Sequence, residues 1–280
     1  ARGGGPRVVT VVESQDRGGA EPLVGLAEQD LVEGSQNLAG ARVAHGGGAE
    51  RVASKGRDHC GGDPFALDVA HRCVIATDSP EVQPAAIDEG AECMITRDDH
   101  PSGTDRVAEV VSHAEYGRFE VIVNVQGDEP FISGEALQGA VECVAGGRFE
   151  LGTAAAHAPL AALHRPHVVK VVCADDGRAL YFSRAGIPAL RDPDDRAVLE
   201  GTVRQHIGVY AYTPDALRRW VALPEHPLER IERLEQLRPL AAGMAMGVAT
   251  IAEAPPGGLD TEDDLTRANE NWTHLSADMK

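Results

Sequence analysis

The chain has 280 residues, with 26 Lys or Arg against 44 Asp or Glu and a formal net charge of −18. Such an acidic chain lacks the basic face of a nucleic-acid-binding protein and the positive charge that attaches proteins to anionic lipid, so neither class is expected. No stretch approaches 18 consecutive apolar residues, so no membrane span is expected. The five cysteines are scattered and form no Cys-x-x-Cys pair, a pattern typical of reduced thiols in the cytoplasm.

The first 70 residues differ in composition from the rest of the chain. They contain 14 of the 31 glycines and no Ile, Tyr, Trp or Met. Glycine runs such as residues 46–48 interrupt any helical pattern, and only residues 8–12 predict a strand. We expect residues 1–71 to be an atypical segment, either disordered or an out-of-frame translation of GC-rich codons that returns to frame near Arg72. Translating the encoding DNA in all three frames tests the second hypothesis.

From Arg72 onward, predicted strands and helices alternate. Short apolar runs predict buried parallel strands at residues 72–78, 92–95 and 121–125. Helices are expected from Ser79, at residues 104–113 and at residues 134–145. The alternation predicts an α/β fold with a mostly parallel central sheet flanked by helices.

The second half continues the pattern with a hairpin. Residues 168–173 and 179–183 flank a tight turn and predict two antiparallel strands. Further along, strands are expected at residues 206–212 and 246–251, and helices at residues 214–220, at residues 227–240 and from about residue 261. In the helix over residues 227–240, the apolar positions Leu228, Ile231, Leu234 and Leu237 are expected to face the core.

Two carboxylates are candidate metal ligands. Asp128 directly follows the apolar strand at residues 121–125, and Asp260 precedes a predicted helix start. Ligands of open α/β sheets bind at the carboxyl ends of the strands, where carboxylates can hold Mg²⁺. The alternative for both residues is capping of a turn or a helix, which the sequence alone favours at least as much. The two residues form one site only if the fold brings them together.

Polar residues elsewhere are candidate ligand-binding groups. Arg97 and Ser102 lie in a polar loop before a helix, which is suited to an anionic or base-like ligand or is simply a capped helix start. His206 and Tyr210 are expected on one face of a strand. Glu232 and Gln236 stand four residues apart in the predicted helix, where they either hold a polyhydroxylated ligand or form a solvated face.

Seven segments, in this order along the chain, resemble the 3-deoxy-manno-octulosonate cytidylyltransferases, also called CMP-KDO synthetases. They include Gln-Gly-Asp-Glu-Pro at residues 126–130 and Tyr-Phe-Ser-Arg at residues 181–184. The matching segments are residues 74–78, 96–106, 123–130, 179–184, 206–210, 227–238 and 258–265. The resemblance covers about residues 72–270.

The resemblance implies a nucleotide-diphospho-sugar transferase-like domain over residues 72–280, with a smaller β-rich dimerisation subdomain at about residues 165–215. It implies transfer of CMP from CTP to 3-deoxy-D-manno-octulosonate (KDO), with release of pyrophosphate, by a cytoplasmic Mg²⁺-dependent homodimer in lipopolysaccharide biosynthesis. Asp128 and Asp260 would be the catalytic metal ligands, and Arg97 and Ser102 would belong to the nucleotide pocket. The sugar site would be lined by Gln126, Arg184, His206, Tyr210, Glu232 and Gln236, with the Arg184 guanidinium suited to the KDO carboxylate.

The first 70 residues depart from this family. The family begins with a strand and an Ala-Arg-x-x-Ser-x-Arg-x-x-x-Lys loop around the triphosphate, and this loop is absent here. We therefore expect the first strand to be missing from the centre of the sheet and charge stabilisation at the phosphates to be reduced. The alternatives are a cytidylyltransferase for another acidic sugar, such as sialic acid, and an inactive remnant that binds nucleotide or sugar.

Overall fold

The computed structural model describes residues 6–14, 70–88, 90–129, 131–256, 258 and 266. The strands along these residues are β1 (Val8–Ser14), β2 (Arg72–Thr77), β3 (Cys93–Ile95), β4 (Val121–Gln126), β5 (Leu151–His157), β6 (Lys170–Cys173), β7 (Ala179–Ser183), β8 (Arg204–Tyr212) and β9 (Met246–Ile251). The α-helices are α1 (Val82–Asp88), α2 (Gly103–Ser112), α3 (Gly134–Ala145), α4 (Arg196–Glu200), α5 (Pro214–Val221), α6 (Pro227–Glu232) and α7 (Leu237–Ala241). The helix expected from about residue 261 lies outside the described residues.

The central sheet has the strand order β3-β2-β1-β4-β8-β5-β9. Parallel pairing joins β3, β2, β1 and β4, and also β5 and β9. β8 runs antiparallel to both of its neighbours, β4 and β5. β6 and β7 form the predicted antiparallel hairpin, which is joined to β8 through Lys170 and Gln205. The mostly parallel central sheet with flanking helices is therefore confirmed.

β1 occupies the centre of the sheet. It pairs in parallel with β2 on one side and with β4 on the other. The expectation that a first strand would be missing there was wrong, because four valines at positions 8, 9, 11 and 12 suffice for a strand buried on both faces. The hypothesis of disorder or out-of-frame translation is untested for residues 1–5 and 15–69, which lie outside the described residues.

Helices cover both faces of the sheet, and β1 shows how the two layers divide. Successive side chains of a strand point to opposite faces. Val9 and Val11 belong to the core cluster that contains residues of α2 and α5, whereas Val8 and Val12 belong to the cluster that contains residues of α3. The sheet thus separates two apolar layers, and its strand ends remain for polar side chains.

The helix predicted over residues 227–240 is broken in the middle. α6 ends at Glu232, Arg233 adopts a left-handed backbone conformation with φ 55°, and α7 begins only at Leu237. A bidentate ion pair closes the bend, because Arg238 donates from Nε and Nη2 to the two carboxylate oxygens of Glu229, at 2.8 and 2.5 Å. Glu229 and Arg238 are nine residues apart, so the spacing of apolar residues along a helix does not predict this contact.

The break changes the predicted faces of this segment. Leu234 and Leu237 are buried as predicted, but Ile231 is 78% exposed. Glu232 and Gln236 lie on opposite sides of the bend and do not share a helix face. The interpretation of these two residues as an i, i+4 pair was therefore wrong.

β5 was not predicted from the sequence. Its sequence, Leu-Gly-Thr-Ala-Ala-Ala-His, is poor in the β-branched and aromatic residues that favour strands. The strand is buried between β8 and β9, and its small residues admit α3 at close range, since a Cβ at Gly152 would lie 2.2 Å from the carbonyl oxygen of Ala140. Packing, and not propensity, determines this element.

In the described part of the chain, every helix is too short or too polar to cross a membrane.

Candidate active site

Polar side chains collect where the parallel strands end. β2 is followed by Asp78, β3 leads into the loop that carries Arg97, and β4 ends in Gln126 and is followed by Asp128. The N-terminus of α2 faces the same edge, because Ser102 precedes the helix directly after that loop. In open α/β sheets this edge is the usual place for a ligand.

Asp128 lies in the turn after β4, and the chain returns to this turn at Gly258. A Cβ at Gly258 would lie 2.7 Å from the carbonyl oxygen of Asp128 and 3.3 Å from Oε1 of Glu129, so a larger residue could not approach as closely. The other predicted ligand, Asp260, lies outside the described residues. Over the residues that the structure covers, no group of three His, Cys, Asp or Glu side chains is arranged to hold a metal ion.

The loop before α2 holds its two predicted ligand groups in different ways. Ser102 caps the helix: its Oγ accepts a hydrogen bond from the Asp105 amide at 3.4 Å and donates to Asp105 Oδ2 at 2.7 Å. The Arg97 side chain is 66% exposed, and its Nε lies 3.4 Å from Asp99 Oδ1 and 3.7 Å from Glu109 Oε2. Exposed ion pairs of this kind are weak, so the guanidinium is available to a ligand.

A buried ion pair anchors this loop to the sheet. Arg106 on α2 donates to Asp78 Oδ2 at 2.7 Å, to the hydroxyl of Thr96 and to the carbonyl oxygen of Arg97 at 3.3 Å. Arg106 is fully buried and the Asp78 side chain nearly so. The ion pair therefore joins the ends of β2 and β3 to α2 and fixes the backbone from which Arg97 projects.

His206 and Tyr210 lie on one face of β8, as their spacing predicts. Their ring centroids are 5.5 Å apart, and the edge of Phe182 on β7 packs against His206 at 5.0 Å. The Thr153 hydroxyl donates to the carbonyl oxygen of Val209 at 2.7 Å, so it accepts from His206 Nε2 at 2.9 Å. This hydrogen bond assigns the proton to Nε2 and leaves Nδ1 as an acceptor.

Burial sets the protonation states of both rings. It lowers the pKa of His206 to about 3, so the imidazole is neutral at physiological pH. It also raises the pKa of Tyr210 well above its ordinary value, so the phenol keeps its proton. The pair thus offers a neutral imidazole and a neutral phenol, which suit sugar hydroxyls better than a charged group.

Gln126 is brought to the same place by strand pairing. β4 and β8 align Val125 with Val209. A Cβ at Gly208 would lie 3.0 Å from Gln126 Oε1, so the glutamine amide lies against β8 between His206 and Tyr210. Gln236 is buried at the start of α7.

Glu232 holds the chain just after β7. Its Oε1 accepts from the Ser183 hydroxyl at 2.6 Å, and its Oε2 accepts from the Arg184 amide at 2.9 Å. The Arg184 side chain returns to the same bend, where Nε donates to the carbonyl oxygen of Glu232 at 2.9 Å. The structure therefore brings Glu232 and Arg184 together, with both carboxylate oxygens occupied by protein donors.

Glu235 is a further candidate that the sequence pattern missed. Its Oε1 accepts from the Thr104 hydroxyl at 2.8 Å, while its buried Oε2 has no hydrogen-bond partner among the described residues. Burial raises the pKa of Glu235, and the nearby hydroxyls of Thr104 and Ser102 only partly offset this effect. The one sequence signal was its position beside Gln236, and the assumed unbroken helix concealed it.

Comparisons with known proteins place this geometry in a family. A family model described as cytidylyltransferase matches residues 66–246, well over half of the chain. The match begins close to the point where the sequence changes in composition.

Two relatives and one solved structure agree with the family model. The chain is 58% identical over 239 residues to a 3-deoxy-manno-octulosonate cytidylyltransferase of Gemmatimonas aurantiaca, covering 82% of this chain and 92% of the relative. It is 40% identical over 237 residues to a protein of the same name from Polynucleobacter asymbioticus, covering 80% and 91%. It is also similar to the structure of CMP:2-keto-3-deoxy-manno-octonic acid synthetase complexed with CTP, with a TM-score of 0.71, 28% identity and coverage of 96% and 98%.

Proposed function

The chain belongs to the 3-deoxy-manno-octulosonate cytidylyltransferase family, and on this premise we propose that it transfers CMP from CTP to KDO. The anomeric hydroxyl oxygen of KDO attacks the α-phosphorus of CTP, and the bond from that phosphorus to the bridging oxygen of the β-phosphate breaks. CMP-KDO and pyrophosphate are formed, and the hydroxyl proton passes to water. The observation that carries this proposal is the meeting of the Asp128 turn, the Arg97 loop and the His206 face at one edge of the sheet.

On the nucleotide side, the loop between β3 and α2 supports a base-binding role. The exposed Arg97 guanidinium offers planar hydrogen-bond donors, and Ser102 lies at the N-terminus of a ten-residue helix. The buried Arg106–Asp78 pair holds this loop in place before the ligand arrives. Preorganised donors of this kind lower the entropic cost of binding.

We propose that the cation is Mg²⁺, which prefers carboxylate oxygens such as that of Asp128 at the end of β4. Asp128 provides a carboxylate, and Gly258 brings the chain against the Asp128 backbone two residues before Asp260. Asp260 lies outside the described residues, and its role as a second ligand is carried over from the family resemblance. Asp128 and Asp260 would hold the metal, which when bound neutralises charge on the triphosphate.

On the sugar side, we assign each residue a role that matches its surroundings. Arg184 would take the KDO carboxylate, because its planar fork matches that group. The neutral imidazole of His206 would accept a hydrogen bond from a sugar hydroxyl at Nδ1, and the Tyr210 phenol would donate one. Gln126 and Gln236 complete the set with amide groups.

Glu235 replaces Glu232 as the proposed carboxylate ligand of the sugar. The buried Oε2 of Glu235 has no donor among the residues described, so a sugar hydroxyl can satisfy it. Both oxygens of Glu232 already accept hydrogen bonds from Ser183 and Arg184. Glu232 thus acts on the sugar through the backbone of Arg184.

The cellular setting follows from the family resemblance. We propose that the enzyme serves lipopolysaccharide biosynthesis in the cytoplasm and acts as a homodimer through the insert at about residues 165–215. The apolar side chains of Leu180 on β7, Val198 on α4 and Ile231 on α6 are exposed in or beside this insert and support a protein contact there.

The test is pyrophosphate release by this chain from CTP, with KDO or sialic acid as acceptor, with Mg²⁺ or with excess chelator. We expect turnover with KDO that requires Mg²⁺, and a loss of about 100-fold or more in Asp128→Asn. Asp88→Asn, at the exposed end of α1, is the matched control and should keep full activity. Turnover with sialic acid alone would reassign the sugar, and CTP binding by calorimetry without turnover would identify a non-catalytic remnant.

A further inference from the structure

Lys170 at the start of β6 is a buried ammonium group that the proposed reaction does not use. Its exposure is 0%. Nζ donates to the carbonyl oxygens of Arg165 at 3.0 Å, Val168 at 2.6 Å and Arg184. An ammonium group has three donors, so the backbone takes all of them.

The choice of lysine at this position is informative. Arginine supplies 23 of the 26 basic residues of the chain, and the lysines are Lys55, Lys170 and Lys280. A guanidinium donates within one plane, whereas an ammonium donates in three directions from a single point. Three carbonyls that converge on one point therefore require lysine, although the composition of the chain favours arginine.

The third carbonyl connects Lys170 to the sugar site. Arg184 is held on both sides of its backbone, because its amide donates to Glu232 and its carbonyl accepts from Lys170. Among the described residues, the outer nitrogens of its guanidinium make long contacts of 3.4 Å, to the carbonyl oxygens of Pro166 and Arg233. A carboxylate can displace such weak contacts without moving the backbone.

The charges of the side chains around Arg184 also favour the binding of a carboxylate there. Lys170 interacts electrostatically with both Glu232 and Arg184, and the formal charges of these three side chains sum to +1. A net positive charge at this site favours an anionic ligand in a chain whose formal net charge is −18.

We propose that Lys170 is a positioning residue, which holds the carbonyl of Arg184 and thereby fixes its guanidinium where the carboxylate of the acidic sugar binds. The inference rests on the proposed function, because it takes Arg184 as the ligand of that carboxylate. Lys170 itself does not touch the substrate.

The test is steady-state kinetics of Lys170→Met, which keeps the length of the side chain and removes its donors. We expect the KM for KDO to rise about tenfold, while kcat and the KM for CTP change less than twofold. The matched control is Arg204→Met, which removes a half-buried cation from the neighbouring strand β8. Arg204 Nη1 donates to the Thr202 carbonyl oxygen. All kinetic constants of this variant should stay within twofold of those of the unaltered enzyme.

A double-mutant cycle separates positioning from a general defect in the structure. Because Lys170 acts through Arg184, Lys170→Met should have no further effect on the KM for KDO in the Arg184→Ala background. The inference would be overturned if the two substitutions raised the KM for KDO independently, so that their factors multiplied in the double variant. It would also be overturned if Lys170→Met alone left this KM unchanged. If Arg184→Ala itself leaves this KM unchanged, the assignment of Arg184 in the proposed function fails instead.

A measurement on the unaltered enzyme covers the case in which Lys170→Met does not fold, as judged by circular dichroism. The ¹H–¹⁵N signals of the lysine ammonium groups are few, and that of a buried group exchanges slowly with water. KDO should shift the Lys170 signal, and an uncharged sugar should not. A Lys170 signal whose chemical shift does not change at a saturating concentration of KDO would overturn the inference.

Discussion

Glu232 and Glu235 are three residues apart, yet their surroundings give their carboxylates different tasks. Two protein donors satisfy Glu232, whereas one buried oxygen of Glu235 lacks a donor in the described part of the chain. An unsatisfied buried acceptor destabilises a protein by about 1–3 kcal/mol. Such a cost is expected where a ligand later supplies the missing donor.

The change Glu235→Gln tests this difference. Because burial raises the pKa of Glu235, the folded state binds its proton more tightly than the unfolded state, and stability is lost as pH rises through the folded pKa. The free energy of unfolding of the variant should therefore be about 1 kcal/mol higher than that of the unaltered protein at pH 7, and nearly the same at pH 4. Its KM for KDO should rise about tenfold. Denaturant unfolding at both pH values and initial rates measure these effects.

Glu232→Gln is the control for this prediction. It weakens hydrogen bonds to Ser183 and Arg184, so it should lower the free energy of unfolding at pH 7. A stabilised Glu232→Gln, or a Glu235→Gln variant that is destabilised and keeps its KM, would contradict the assigned roles.

Among the elements, the bend between α6 and α7 positions three residues of the proposed sugar site, namely Glu235, Gln236 and, through Glu232, Arg184. It places Glu232 against β7 and turns Glu235 inward towards α2, and an unbroken helix could not do both. The bend requires the left-handed backbone of Arg233, which costs roughly 1–2 kcal/mol for a residue with a Cβ. The buried Glu229–Arg238 pair offsets this cost.

Arg233→Gly should therefore stabilise the protein, because glycine adopts this conformation without the steric penalty. We expect an increase of about 1 kcal/mol in the free energy of unfolding. The matched control is Arg230→Gly, at an exposed position inside α6, which should cost about 0.5–1 kcal/mol. Thermal unfolding of both variants decides the point, and equal losses in both would show that the bend does not depend on this residue.

At the scale of the whole molecule, α3 packs closely against the sheet and contacts residues of β4, β5 and β8 in one apolar cluster. β5 lies between β8 and β9, and β8 in turn pairs with β4, so the position of β5 bears on the site face of β8. Small residues allow this approach, most directly at Gly152, where α3 contacts the strand backbone.

Gly152→Ala should lower the free energy of unfolding by about 1–3 kcal/mol, since the new methyl group would meet the carbonyl oxygen of Ala140 at 2.2 Å. Gly117→Ala is the control, because its Cβ would meet only the Ala114 carbonyl oxygen at 3.4 Å and its φ is −62°. That change should be neutral or stabilise by up to about 1 kcal/mol. If urea unfolding shows that Gly152→Ala leaves the free energy of unfolding unchanged, α3 can move away from the sheet.

The sequence by itself determined the elements whose patterns are local. β4 and β9 are short runs rich in apolar residues, as buried strands are, and α3 and α5 follow capping residues and helical periodicity. The motifs at the strand ends also sufficed to indicate the family, because their order along the chain is a property of the sequence. The pairing of Asp128 with Asp260 remains a prediction, because Asp260 lies outside the described residues.

Only the tertiary structure decided the features that depend on contacts between distant residues. β1 took the central position because β2 and β4 offered two unpaired edges, and β5 formed from weak strand formers because burial outweighs propensity. The inward turn of Glu235 needed an ion pair across a bend, and the role of Lys170 needed three carbonyls from separate segments. Hydrogen bonds and packing of this kind act through space, so no periodicity along the chain records them.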